Sequence, residues 1–295
     1  MAGPLLLIDA SSLAYRAFHA IPAMTAPDGT PTNAAYGFLN FLARLIVDRR
    51  PSRLAVALDD DWRPAWRVEA LPAYKAHRVA DAGDAKDEVE PQIEIVCDVL
   101  RALGITIAHA KGYEAEDAIA GLVGRERGPI EIVTGDRDLF ALVRDPDVRV
   151  LYTLRGVSDL GIVDEAYVTK TYGIPGRAYF DYATLRGDPS DGLPGVRGIG
   201  EKSAAELVRK YGSLDAIIAA RDLSPSVAAK LAASRDYLVA ARRVVAPQYE
   251  APVELDRDLA MPRAPRDADR LLALAARYGL AGPIDRIVRA LANAA

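Results

Sequence analysis

The sequence predicts an α/β protein, a mostly parallel sheet flanked by helices, with a helical C-terminal subdomain. Three observations carry that prediction. Short apolar runs alternate with helix-length segments through the first 175 residues. The spacing between runs leaves room for crossover helices, which parallel strands require. After about residue 175 the runs cease, and Ala-, Leu- and Arg-rich segments with helical spacing take over.

Strands are expected at Leu5–Ile8, Leu54–Leu58, Ile105–Ala108, Ile130–Val133 and Val148–Tyr152. Helices are expected between them over Ala34–Asp48, Pro91–Leu103, Glu114–Arg125 and Asp138–Val143. Further on, helical spacing covers Ser203–Tyr211, Ser226–Val245 and Asp267–Ala294, and the Gly/Pro-rich stretch Gly187–Gly200 joins the two halves. The expected division is therefore 1–175 and 176–295. The polar, Ala/Asp-rich stretch Val79–Glu90 falls inside a region of about 70–92 and is expected as a mobile loop or a helix ordered by a partner.

Composition narrows the class. The 295 residues carry 37 Lys+Arg against 41 Asp+Glu, a net charge of −4, with 51% apolar residues, which excludes disorder and collagen-like chains. A single cysteine, Cys97, forms neither an intrachain disulfide nor a multi-thiolate metal site. No apolar stretch approaches the roughly 20 residues of a membrane span. The first residues lack the basic start of a secretion signal, so a cytoplasmic protein is expected.

The acids are placed unusually. Asp9, Asp59 and Asp136 each follow an expected strand, at the end where open parallel sheets bind ligands. Any one of them reads equally well as a helix cap or turn residue. Glu114-Ala-Glu116-Asp117 opens a helix, where acids favour the macrodipole. Asp138 follows Asp136 by two residues, and Asp188 and Asp191 lie in a Gly/Pro turn. Nine anions at one sheet edge would repel severely unless divalent cations neutralised them. An all-oxygen set without cysteines or paired histidines suits Mg²⁺ or Mn²⁺ rather than zinc. More carboxylates than one Mg²⁺ can use imply two ions about 3.5–4 Å apart, the arrangement that cleaves phosphodiesters. Setting these nine acids aside turns −4 into +5, a mildly basic remainder suited to nucleic acid.

Candidate phosphate contacts stand nearby. Lys75 and Arg78, in Tyr74-Lys-Ala-His-Arg, are one helical turn apart, and Arg16 follows Asp9 by two turns. Gly195, Gly198 and Gly200 precede a helix, so backbone N–H groups there can approach a phosphate. The spacing is not that of a Walker loop; it resembles a helix-hairpin-helix, a sequence-independent contact to the DNA backbone. His19, His77 and His109 share no metal-ligand spacing, and Trp62 and Trp66 read first as packing residues.

Together these stretches resemble the 5′ nuclease superfamily, most closely the bacterial 5′–3′ exonuclease that forms the N-terminal domain of DNA polymerase I. The stretches are Leu6-Leu-Ile-Asp9-Ala-Ser-Ser, Tyr74-Lys-Ala-His-Arg, Glu114-Ala-Glu-Asp117, Thr134-Gly-Asp-Arg-Asp138 and Gly187-Asp-Pro-Ser-Asp191 through Lys202, in the family's order over roughly residues 5–250. The resemblance implies a PIN-like core and a nuclease acting on DNA with 5′ flaps, nicks or free 5′ ends; a stand-alone, monomeric chain working beside a separate polymerase is expected. It implies two Mg²⁺, replaceable by Mn²⁺, one held by Asp59 and Glu116 and one by Asp136 and Asp138. Asp9, Glu114, Asp117, Asp188 and Asp191 would act through water. It further implies phosphate contacts by Lys75, Arg78 and Arg16, and a K⁺ ion at the glycine hairpin. The chain departs from the pattern in having Glu116 where bacterial members carry Asp, Gly192 where Asn is usual, and a longer, more acidic arch. The competing readings are an inactive or weakly active DNA-structure binder and a PIN-like RNase.

Overall fold

A computed structural model of the chain describes residues 3–80, 85–154 and 159–294. In chain order the elements are β1 (Leu5–Asp9), α1 (Ala10–Ala20), α2 (Asn33–Arg49), β2 (Arg53–Ala57), α3 (Ala65–Ala70), α4 (Ala76–Ala80), α5 (Ala85–Leu103), β3 (Thr106–Ala110), α6 (Ala115–Arg125), β4 (Ile130–Thr134), β5 (Val148–Thr153) and β6 (Leu160–Val163). There follow α7 (Glu165–Tyr172), α8 (Tyr179–Arg186), α9 (Glu201–Tyr211), α10 (Leu214–Ala219), α11 (Pro225–Ala233), α12 (Arg235–Val245), β7 (Val253–Leu255), α13 (Ala268–Tyr278) and α14 (Ala281–Ala294).

The strands form one sheet of order β6-β5-β4-β1-β2-β3-β7, parallel from β5 to β3 and antiparallel at both edges. Both faces are covered, which is why the central strands read as unbroken apolar runs. Alternate residues part to opposite sides. Leu5, Leu7, Ala55 and Ile132 pack with α6 and the helical second half, whereas Leu6, Ile8, Leu54 and Val56 pack with α2, α5, α13 and α14.

Five expected strands are present; two more escaped the sequence pattern. Gly161 interrupts β6, and β7 is only three residues long. The second half is therefore not wholly helical: β7 pairs with β3, and Leu274 of α13 and Ile287 of α14 join the core around α2 and α5. Amphipathic spacing marks such helices but does not say which surface they cover. The helix expected over Ser226–Val245 is split at Ser234, and that over Asp267–Ala294 at Gly279, whose left-handed backbone ends α13. The expected helix Asp138–Val143 is a single 3₁₀ segment, Asp138–Leu142. Of Val79–Glu90, residues 81–84 lie outside the described residues, and α5 begins at Ala85, ahead of Pro91. Good helix formers and the burial of Val89 favour that earlier start.

Candidate active site

Strand order reverses between β1 and β4, because β2 and β3 lie on one side of β1 and β4 and β5 on the other. Connections diverging from such a point leave a crevice at the strands' C-terminal ends. Asp9 ends β1 and caps α1, accepting from Ser12 N at 3.1 Å and from the Thr134 hydroxyl at 2.7 Å. Asp59, just past β2, accepts from Ala115 N at 2.7 Å and from the Ser11 hydroxyl, so it ties the starts of α1 and α6 together. Asp136, past β4, accepts from Asp138 N at 2.9 Å. Asp188 caps the turn Pro189–Asp191 and accepts from Arg186 at 3.1 Å.

Repulsion links the nine acids from neighbour to neighbour: Asp59 with Asp9, Asp9 with Asp136, Asp136 with Asp138, Asp138 with Asp188 and Asp191, and Glu116 with Asp136, Glu114 and Asp117. Burial, then repulsion by Asp59 and Asp136, pushes Asp9 up to about 7, against the hydrogen bonds that favour its ionised form. Asp136 reaches solvent, yet the protein crowded around it and the charges of Glu116 and Asp191 raise it to about 6. Asp138 is raised further, by desolvation and then by Asp136, Asp191, Glu116 and Asp188. Burial also raises Asp191, with Lys75 and Arg78 pulling the other way. Desolvation is the largest cause of each shift, and repulsion between neighbouring carboxylates adds to it. Among the described residues no three His, Cys, Asp or Glu side chains converge on a single ion position. The oxygen donors fit a hard divalent ion that keeps part of its water shell, not a closed zinc site.

The crevice is not neutralised by outside cations alone, as its sequence implied. Arg67 of α3, 1% exposed, bonds Glu114 at 2.8 Å, Glu116 at 2.8 Å and Asp117 at 2.8 Å. Glu114 caps α6 and also accepts from Tyr74 OH at 2.6 Å and from Lys75. Burial, then Glu116, raises Glu114 against the pull of Lys75 and Arg67. All of its side-chain contacts are donors, so its ionised form is the one they address. No sequence motif flagged Arg67.

Lys75 is buried with a left-handed backbone, φ +48°, and its N–H donates to the Asp191 carbonyl at 3.0 Å. Burial alone would disfavour its charge, but Glu114, Asp191 and Glu116 outweigh that and raise its pKa. Arg78 bonds Asp191 at 2.9 Å and the Ser190 carbonyl at 2.7 Å. Arg16 donates to the Leu154 carbonyl at 3.4 Å, and its buried Nε has no hydrogen-bond partner. The loop of Gly192, φ +73°, passes so close to the Ala73 carbonyl that a Cβ would stand 2.3 Å from it.

The three hairpin glycines sit differently. Gly195 packs on the Arg186 carbonyl, where a Cβ would stand 2.3 Å away. Gly198, φ +80°, is exposed, and its carbonyl accepts from Lys230 Nζ at 2.9 Å. Gly200 caps α9 in open space.

Comparison with known proteins agrees with this architecture. Residues 4–173 match the 5′-3′ exonuclease N-terminal resolvase-like domain, and residues 174–268 match the 5′-3′ exonuclease C-terminal SAM fold. The chain is 48% identical over 300 residues to a 5′-3′ exonuclease of Streptomyces coelicolor, covering 97% of this chain and 99% of that one. It is 44% identical over 219 residues to DNA polymerase I of Mycobacterium bovis, covering 72% of this chain but 24% of the polymerase. A bacteriophage T5 flap endonuclease, solved with DNA and metal ions, shares the fold at a TM-score of 0.66 and 18% identity, covering 99% of this chain and 98% of that one. An acid-lined crevice at the switch point of an α/β sheet, followed by this helical half, thus places the chain in the 5′–3′ exonuclease family of nucleases.

Proposed function

We propose that the protein is a divalent-metal-dependent DNA nuclease that cuts phosphodiesters at 5′ flaps, nicks and free 5′ ends. The observation that carries this reading is the gathering of Asp9, Asp136 and Asp138 at the ends of β1 and β4, close enough to repel one another. Hydroxyl and backbone N–H donors hold Asp9 and Asp136, and no described Lys or Arg bonds to any of the three. Two Mg²⁺ are the assigned ions, with Mn²⁺ able to substitute: Asp59 and Glu116 would hold one, Asp136 and Asp138 the other. The remaining acids would act through water. When bound, the ions polarise the scissile phosphate and lower the pKa of water for attack.

The chain's own residues do the rest. Lys75, buried against Glu114, and Arg78, exposed beside Asp191, offer positive charge to the scissile phosphate; to do so they exchange Glu114 and Asp191 for it. Arg16, with an unpaired Nε, is a further phosphate contact. At the start of α9, exposed N–H groups around Gly198 and Gly200 meet a duplex phosphate, while Gly195 shapes the turn. A K⁺ ion there would use loop carbonyls other than that of Gly198, which Lys230 already occupies.

The T5 relative's complex with DNA and metal ions supports a DNA substrate, and the polymerase relatives support a separate DNA polymerase as working partner. We place the protein in the cytoplasm as a monomer; no described helix is long and apolar enough to cross a membrane. The test is cleavage of an end-labelled 5′ flap in Mg²⁺ and in EDTA, with an RNA-flap arm. Mg²⁺-dependent release of the DNA flap is expected. Tight flap binding without cleavage would leave a DNA-structure binder, and cleavage confined to RNA would leave an RNase.

A further inference from the structure

Arg67 lies outside every motif that marks the site in sequence, yet its whole donor fork is committed. Nη1 reaches Glu114 at 2.8 Å and Asp117 at 3.0 Å, and Nη2 reaches Glu116 and Asp117 at 2.8 Å. Nε donates to the Val244 carbonyl at 3.0 Å. The guanidinium also lies 4.7 Å from the Trp66 ring centre and 5.6 Å from that of Tyr74. A single ammonium cannot span this set; a planar guanidinium can.

Two distant parts of the chain meet on this side chain. One is the start of α6 with its three acids; the other is the last turn of α12, in the helical half. Ala241 and Val244 of α12 pack there against Tyr74, the residue before Lys75. We propose that Arg67 is a positioning residue for the hydrolysis: it holds the Glu114 and Asp117 carboxyl groups in fixed positions, limits the directions from which Glu116 can meet a metal ion, and couples that arrangement to α12. Three acids sharing one guanidinium are not free to close around an ion at will. Arg67 thereby sets which of the nine acids remain open to divalent cations. This rests on the metal-dependent reading above.

The test uses the full chain with Arg67→Lys and Arg67→Met. The lysine keeps the buried charge, so the acids stay compensated, but it loses the fork. Circular dichroism melts establish the folded fraction. Calorimetric titration with Mn²⁺, without DNA, reads the metal site independently of turnover. Flap affinity in EDTA and single-turnover cleavage at saturating flap complete the set. Arg67→Lys is expected to fold and to bind the flap within about twofold of wild type. It should lose roughly 10- to 100-fold in Mn²⁺ affinity, the usual effect of removing an outer-shell partner, with a comparable or larger loss in cleavage. Arg67→Met should lose at least as much. Wild-type Mn²⁺ affinity and cleavage in Arg67→Lys would overturn the proposal. So would an Arg67→Lys chain that fails to fold, because the side chain would then be a structural support only. Wild-type protein that takes up no Mn²⁺ would instead sink the metal-dependent reading itself.

Discussion

Around the start of α6, Glu114, Glu116 and Asp117 share Arg67, and Glu114 also holds Lys75. Around the ends of β1 and β4, Asp9 and Asp136 are held by hydroxyl and backbone N–H donors, and no described Lys or Arg bonds to them or to Asp138. The first group carries its cations within the fold; the second is left with its repulsion. A site built this way is assembled and rigid on one side before any ion arrives, and electrostatically incomplete on the other. Losing an acid from the paired side removes bonds from a buried guanidinium that keeps its other acids, and should harm stability as well as rate. Losing one from the unpaired side relieves repulsion and should harm rate alone.

Asp136→Ala and Asp138→Ala test that contrast most severely. Each should lower single-turnover flap cleavage by several orders of magnitude, on the order of 10³ or more, because a metal position is lost. Flap binding should persist or tighten, since an anion facing the phosphates is gone, and the melting temperature should hold or rise. Asp117→Ala should instead destabilise by about 1–3 kcal/mol, the scale of leaving buried donors unpaired, because Arg67 keeps Glu114 and Glu116. Equal melting effects on the two sides would break the comparison, and full activity in both Asp136→Ala and Asp138→Ala would end the two-ion reading.

Lys75→Ala comes next. Removing an ammonium placed to meet charge building on the scissile phosphate should cost on the order of 10²–10³ in kcat, with flap affinity little changed. Glu114 would keep Arg67 and Tyr74, so the chain should still fold. A loss confined to affinity, with the single-turnover rate intact, would show that Lys75 only seats the DNA.

Acids on both sides set a pH signature, since Glu114 and Asp117 are raised as well. Asp9 is held near 7 and Asp136 near 6, above their values in an unfolded chain. The folded state therefore binds these protons more tightly than the unfolded state does, so their contribution to ion-free stability falls as pH climbs from about 4 towards 7. Divalent ions take the deprotonated carboxylates, so their stabilising effect grows over the same range. Melts with and without Mn²⁺ should differ little at pH 5 and by about 2.7 kcal/mol at pH 8 with ion at 100 times its Kd. Taking the difference cancels groups such as Glu131, which burial would raise but which Arg49 and Arg149 hold below its usual range. An Mn²⁺ effect independent of pH would remove Asp9 and Asp136 from the metal site.

The same contrast explains what the sequence could disclose. Strand runs were legible because both sheet faces are buried, and Asp9, Asp59 and Asp136 were legible because each ends or follows such a run. Lys75 and the acidic start of α6 stood out as motifs. Arg67 did not: α3 has six residues, too few for periodicity, and an arginine between two apolar neighbours looks like any amphipathic position. Its burial is decided by acids some 50 residues away in the chain. Local signals likewise missed β7, whose pairing with β3 is fixed only once the helical half has been laid down.

Gly198→Val gives the smallest expected effect and sharpens the comparison from outside, because the hairpin belongs to neither side of the crevice. At φ +80° a β-branched residue is strained, and its Cβ would stand 3.1 Å from Lys230 Cε, the flexible end of a side chain that can move aside. The strain should cost some stability without unfolding the chain. Exposed N–H groups at the start of α9 would lose their close approach to a duplex phosphate, so flap affinity should weaken by roughly 1–3 kcal/mol, the scale of a lost charge-assisted hydrogen bond. Saturating DNA should restore most of the cleavage rate, because both groups of acids are untouched. Any K⁺ dependence of binding should shrink in the same variant. Gly195→Ala is the control: its Cβ would collide with the Arg186 carbonyl, so it should lower the melting temperature. Titrating folded Gly198→Val and wild type with a nicked duplex, in K⁺ and in Na⁺ at equal ionic strength, decides the matter. Equal affinities and equal ion responses would reduce the hairpin to an interhelix turn and leave DNA anchoring to Lys75, Arg78 and Arg16.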